Sequence, residues 1–286
     1  MTSSPIVARW ELSRRLGVRR KELGLGVPAI TEALGFTRNY WSAVENDRTL
    51  IAEDKLQRLF DILEFEEADR SELLQLREDS RQHGWWDDYS GILNEGLKRF
   101  CGLEFGAAKI RAFESNRVPG LLQIPEYTRA VLEPDPAHSP LTLEDHLAMR
   151  RQRQQRLESD PPLEFIAVLS EAALRQQVAG PDVQRKQLDH ILNLVRDERA
   201  LVQVRVIPFS TNPGAIAASS TLVLFDYASS HLPPIAWQEA ERMLDIIDHE
   251  DNRFRRLEHS WGQGFERSMN DEDSALMMME MLRSLE

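Results

Sequence analysis

At 286 residues, 42% hydrophobic and 29% charged, the chain has the make-up of a soluble globular protein and is long enough for two domains. No apolar run reaches the ~18 residues of a membrane helix, and the start, MTSSPIVARWELSRR, lacks a signal-peptide core. Cys101 is the single cysteine, which excludes an internal disulfide framework and makes a reducing cytoplasm the expected compartment. The net charge of −12 argues against a surface that binds nucleic acid everywhere. It is unevenly spread: residues 1–48 hold eight Arg or Lys against five acids, near +3, so the remainder is near −15. A small basic head on a large acidic body is the pattern.

In chain order, residues 8–66 read as short helices. Leu12, Leu16 and Leu23 share one face of the first. GLGVP stops it, and Pro28 suits the first turn of the second, which ends at Gly35, a favoured left-handed cap. Thr37 is placed to cap a third helix over 38–46. Leu56, Leu59, Phe60 and Leu63 follow at i, i+3, i+4, i+7 in a fourth. A fifth, within 67–82, is expected to link head to body. The body, 83–286, is expected to be mixed. LEFIAVL (163–169), LVQVRVI (201–207) and TLVLFDY (221–227) have strand length and apolar character. Helical patterns occupy 142–158 and 182–197, and helix returns from about 250, with Asn270 opening a capped segment. The expected fold is mainly α with an α/β C-terminal part: a five-helix head over 1–66, a linker helix, and a larger mixed domain with a small sheet.

Two short helices joined by Gly35-Phe36-Thr37 make a helix-turn-helix. Such a unit lays its second helix in the major groove with the N-terminal residues at the base edges. Arg38 there suits guanine and Asn39 suits adenine, while Trp41 and Val44 face inward. Thr37, Arg38, Asn39, Tyr40, Ser42 and Arg48 are the candidate contacts to double-stranded DNA, with Arg48 assigned to phosphate.

The stretch LGVRRKELGLGVPAITEALGFTRNYWSAVENDRTL (16–50) resembles the Xre-type helix-turn-helix. Residues 83–132 resemble the start of a domain of unassigned function that follows such heads in actinobacterial regulators, the WhiJ-like and antitoxin-like regulators among them. GLE (102–104), VPGLLQ (118–123) and YTRA (127–130) carry that likeness, and SEAALR and VRVIPF extend it. The resemblance implies an ion pair between Arg20 and Glu45, and often a neighbouring gene for a small partner protein. Three departures matter. Gly26-Val27 replaces the usual Ser-Gln, removing a DNA contact and a helix cap. Ala43 replaces a polar residue, leaving only contact with a thymine methyl. Asp47 replaces a Gly, and its charge near a phosphate is expected to weaken binding.

Other patterns point to no catalyst. GQGF (262–265) lacks the third Gly and preceding strand of a phosphate loop, no metal-ligand spacing occurs, and the seven histidines form no nucleophile–base arrangement. DHEDN (248–252) reads as acids favouring a helix start rather than a cation site. Arg150, Arg151, Arg153 and Arg156 read as a solvated or subunit-contacting helix face, and MMMEM (277–281) as core or dimer packing. No metal or cofactor is expected. The body exceeds what dimerisation needs, so an effector cleft is expected beside the sheet. Glu104, Arg111, Gln123, Tyr127, Glu171 and Glu239 are the candidate lining residues, because polar side chains there adjoin apolar segments. The expected function is a homodimeric, sequence-specific transcriptional regulator whose body senses a small molecule or partner protein. Two alternatives stay open: an antitoxin-like protein that mainly binds a small partner, and an enzyme with a DNA-binding head.

Overall fold

The computed structural model describes residues 4–134, 140–240 and 243–285, without the side chains of 140–141, 239–240 and 243–246. The chain divides into two compact units, one comprising the residues to Asp88 with Ser229–Leu232, the other Tyr89–Ala228 with Pro233–Glu286.

The head is five helices. Ser4 accepts from Val7 N and opens α1 (Pro5–Glu22). Then come α2 (Val27–Leu34), α3 (Arg38–Glu45), α4 (Glu53–Ile62) and α5 (Glu67–Asp79). Gly35 ends α2 at φ 69°, a conformation in which a Cβ is strained, and so lets the chain turn sharply into α3. Leu12, Leu16, Ile30, Trp41, Leu56, Leu59 and Leu73 are all at most 1% exposed and form one core. Leu73 belongs to α5. The segment expected as a linker is therefore part of the head, and Arg15 of α1 ties it down through Asp69 (2.6 Å) and Glu72 (2.8 Å).

The body carries α6 (Glu95–Gly106), β1 (Lys109–Glu114), α7 (Pro125–Leu132), α8 (Pro140–Gln154), β2 (Glu164–Ser170), α9 (Glu171–Arg175), α10 (Pro181–Arg196), β3 (Val202–Ile207), β4 (Thr221–Asp226), β5 (Ile235–Ala240), β6 (Met243–Asp248), α11 (Asn252–Arg267) and α12 (Asp271–Arg283). The strands form one sheet in the order β3-β2-β1-β4-β5-β6. β1, β2 and β3 run parallel; β4, β5 and β6 are antiparallel to their neighbours. The fold is mainly α with an α/β C-terminal part. Three strands were expected and six are present. β1 (KIRAFE), β5 (IAWQEA) and β6 (MLDIID) carry charges that mask their period.

Alternation sorts the sheet's residues onto two faces. Phe113, Ile166, Val168, Leu222, Leu224 and Ala236 face α11, whose Phe254 and Trp261 complete a core cluster. Ile110, Ala112, Phe165, Val223 and Trp237 take the opposite face. Two successive crossovers in one direction along a sheet place their helices on the same side. Accordingly, α7 and α10 touch, and Gln187 of α10 bonds Ile124 N and Leu122 O at 2.9 and 2.7 Å.

Candidate nucleic-acid interface and effector cavity

α3 begins where Thr37 Oγ1 accepts from Tyr40 N at 3.1 Å. Thr37, Arg38, Asn39, Ser42 and Arg48 are exposed. Among the described residues, neither Arg38 nor Asn39 makes a side-chain hydrogen bond, so both heads are available to a partner. Ser42 is engaged by Asn46 Nδ2, which lies 2.7 Å from its carbonyl and 3.4 Å from its hydroxyl. Tyr40 is only partly buried and packs on Phe36, ring centroids 4.7 Å apart. On the back of the helix Trp41 and Val44 are 0% and 1% exposed. At its end Arg20 Nε meets Glu45 Oε1 at 2.6 Å, and Arg20 Nη1 donates to Leu25 O at 2.6 Å. This pair fixes α3 against α1 and the turn before α2. Gly26 provides α2 with no side-chain cap. Asp47 departs from expectation. It takes the left-handed position after α3 at φ 51° and is 4% exposed, so the residue is buried and not on the surface.

In the body, the segment VPGLLQ is held by its neighbours' side chains. Val118 N donates to Tyr127 Oη (3.2 Å), Gln123 Nε2 to Val118 O (2.7 Å) and Thr128 Oγ1 to Gln123 Oε1 (3.1 Å). Gln154 Nε2 reaches both Gly120 O (2.9 Å) and Gln123 O (2.6 Å). Every polar group recruited here is buried or nearly so, which makes the segment a rigid wall rather than a loose loop. It borders a cavity of about 320 Å³. The sheet supplies the apolar side through Ile110, Phe165, Val223 and Trp237, and α6 adds Phe100. The polar side comes from Glu104 on α6, Glu114 on β1, Arg117, and His146, Arg150 and Arg153 on α8.

Arg153 makes a two-pronged pair with Glu104, both contacts at 2.7 Å, and lies over the Phe100 ring at 5.1 Å. Burial opposes its charge, but the Glu104 carboxylate outweighs that and holds the guanidinium above its ordinary range. Cys101 is buried, and burial pushes its thiol up to about 12, leaving it unreactive.

The family described as a domain of unknown function (DUF5753) matches residues 97–280, a span that holds this whole cavity, and a helix-turn-helix domain family matches residues 11–73. The chain belongs to the DUF5753 family. Its head is a helix-turn-helix domain, which supports a DNA-binding regulator. No curated protein matches the chain, and no solved structure does.

Of the residues expected at an effector cleft, Glu104 and Gln123 line the cavity of this family domain. Tyr127 stands behind the wall as its support. Arg111 points to the opposite face of the sheet, where it pairs with both oxygens of Asp226 at 2.9 Å and lies over Trp261. Glu171 ties α9 to the loop after β3, accepting from Arg175 Nε (2.5 Å) and Phe209 N (2.8 Å). Glu239 belongs to β5, and its side chain lies outside the described residues.

The arginine-rich face of α8 is the principal correction. Arg150 and Arg153 turn into the cavity rather than to solvent. Arg156 is 5% exposed and clamps the carbonyls of Phe105 (3.0 Å), Ala107 (2.8 Å) and Pro161 (3.0 Å). Only Arg151 is exposed. The spacing Leu143, His146, Leu147, Arg150, Arg153 was the available signal: an inward helical stripe whose later members are charged. In DHEDN, Asp251 caps α11 by accepting from Arg253 N at 2.8 Å. Among the described residues no group of three His, Cys, Asp or Glu could hold a metal ion, and no helix is long and apolar enough to cross a membrane. Met278 and Met281 are buried in packing.

Proposed function

We propose that the protein is a sequence-specific transcriptional regulator of the Xre type, homodimeric on DNA, whose body senses an effector. The observation that carries this reading is the exposure of Arg38 and Asn39 at the start of a helix anchored from behind by Trp41, Val44 and the Arg20–Glu45 pair. A base-reading side chain must be both free and aimed; the anchors aim it. In this reading Arg38 donates two hydrogen bonds to a guanine and Asn39 pairs with an adenine. Tyr40 and Ser42 follow along the groove, and Thr37 and Arg48 flank the helix at the phosphates.

One head makes few base contacts, so a dimer on an inverted repeat, with half-sites about one helical turn apart, supplies the rest. The partly open cavity in the body, apolar on one side and polar on the other, supports a small-molecule effector. A small protein encoded by a neighbouring gene is the other effector class. Whichever binds, coupling is reciprocal: the effector changes DNA affinity and DNA changes effector affinity by the same factor.

Selection of bound duplexes from random-sequence DNA, followed by sedimentation of the complex, tests this. A two-fold symmetric consensus and a two-chain complex are expected. No enriched sequence at all removes the regulator reading, and a single chain on the selected site removes the dimer.

A further inference from the structure

The cavity is unbalanced in charge. Among the described residues, Arg117, Arg150 and Arg153 line it against Glu104 and Glu114. Both carboxylates are already engaged, Glu104 by Arg153 and Glu114 by Thr221 Oγ1 at 2.8 Å. Arg150 stands apart. Its Nε is buried with no hydrogen-bond partner. Burial, and then the adjacent charge of Arg153, push its guanidinium down to about 9. Trp237 Nε1, on the same lining, is also buried and without a partner.

Buried donors are nearly always satisfied, so two open ones on a single cavity mark a place for an acceptor. Water could satisfy the hydrogen bonds but not the charge, and the carboxylate that favours the Arg150 cation, Glu104, is already paired with Arg153, so compensation is short. The site is also made to fit the guanidinium. A Cβ at Gly120 would fall on Arg150, and the Gly120 carbonyl is tied back by Gln154. The remaining lining is apolar and aromatic, with the rings of Phe100 and Trp237 4.7 Å apart.

We infer that this cavity binds a small organic monoanion, a carboxylate on an apolar or aromatic body, with Arg150 and Trp237 donating to the carboxylate. The inference rests on the reading of the body as a sensor and names the ligand class for it. Among the described lining residues, one negative charge matches the excess of one arginine over the two carboxylates. A dianionic phosphate is disfavoured, because Glu104 and Glu114 would repel its second charge.

Calorimetric titration of the full chain with phenylacetate, indole-3-acetate and octanoate, each beside its uncharged amide and beside inorganic phosphate, tests the class. At least one carboxylate binds, and its amide binds about tenfold or more weakly, the discrimination a hydrogen bond to a charged group provides. Arg150→Met abolishes that preference. Without ligand, the same variant melts higher than the parent, because the uncompensated charge is gone. Trp237→Phe keeps a ring, removes the donor and weakens the carboxylate several-fold, about what one neutral hydrogen bond supplies. Failure of all three carboxylates, equal binding of acid and amide, preference for phosphate, undiminished binding by Arg150→Met, or a lower melting point for that variant overturns the inference. Titration with the selected DNA separates it from the sensor reading. A carboxylate that binds without changing DNA affinity leaves the site standing and removes the sensor. A response to a partner protein alone, with no carboxylate bound, does the reverse.

Discussion

The head's α3 and the body's cavity use arginine in opposite ways. In the head, Arg15 and Arg20 have carboxylate partners, Arg38 and Arg48 stand in solvent, and Arg9 of α1 keeps a buried Nε without a partner. In the body, Arg153 is paired, yet Arg150 beside it keeps a buried, unpartnered Nε. An unpaired arginine costs little on a surface and much inside a protein. Solvent exposure leaves the head's free cations ready for a polyanion such as DNA. In the proposed reading, the burial of its Nε makes Arg150 a place for a specific small anion. In that reading, charge at the two sites serves different kinds of partner, despite identical chemistry.

Removing a partner carboxylate probes the comparison most strongly. Glu104→Gln leaves Arg153 and Arg150 together in the cavity without their nearest compensation, and it is expected to cost about 3–5 kcal/mol in denaturant-induced unfolding of the body. Replacing Glu104 and Arg153 together by Leu and Met should cost less, because Arg153 is removed with its partner and only Arg150 keeps a charge without that carboxylate. If the single and double variants are equally unstable, Glu104 acts through packing and not through charge.

The corresponding break in the head is Arg20→Ala. The Arg20–Glu45 pair is 12% and 17% exposed, so a smaller loss of about 2 kcal/mol is expected. Faster amide exchange confined to α1, α2 and α3, with β1 and β2 unchanged, is the measurement. Exchange that rises equally in the sheet strands would show that the pair does not act locally.

The exposed cations should matter to DNA and not to folding. Arg38→Ala is expected to lose about 1–3 kcal/mol on the selected site and to relax one base position. Arg48→Ala should give the smallest effect: all sequences weaken alike, and the slope of log affinity against log salt falls by about one. Equal loss of specificity in both variants would erase the division between reading and holding.

How much of this was legible in sequence follows from the same contrast. The head's order was open to reading because its signals are local. Gly35 and Thr37 mark a turn and a cap, and Trp41 and Val44 recur at helical spacing. β2, buried along its interior, reads as the continuous apolar run LEFIAVL. β1 did not read as a strand, since Lys109 and Arg111 break its pattern, and their partners Glu164 and Asp226 lie far along the chain. The cavity escaped for a similar reason. Arg150 and Arg153 look like solvent residues until Glu104, 49 residues upstream of Arg153, is placed beside them. Among the expected lining residues, Glu104 and Gln123 reach the cavity. Arg111 does not, because strand parity sends it to the other face.

Because β1 lies between β2 and β4, the centre of the sheet is synthesised before either of its flanks. Its first neighbour is complete only when residue 170 has been made, and its second only at residue 226. At about 5–20 residues per second, β1 waits roughly 5–20 s on the ribosome with its second edge unpaired. Two cationic side chains in a six-residue strand, Lys109 and Arg111, discourage pairing with the wrong chain during that interval. The residues that conceal β1 from a reader of the sequence thus also guard it during translation.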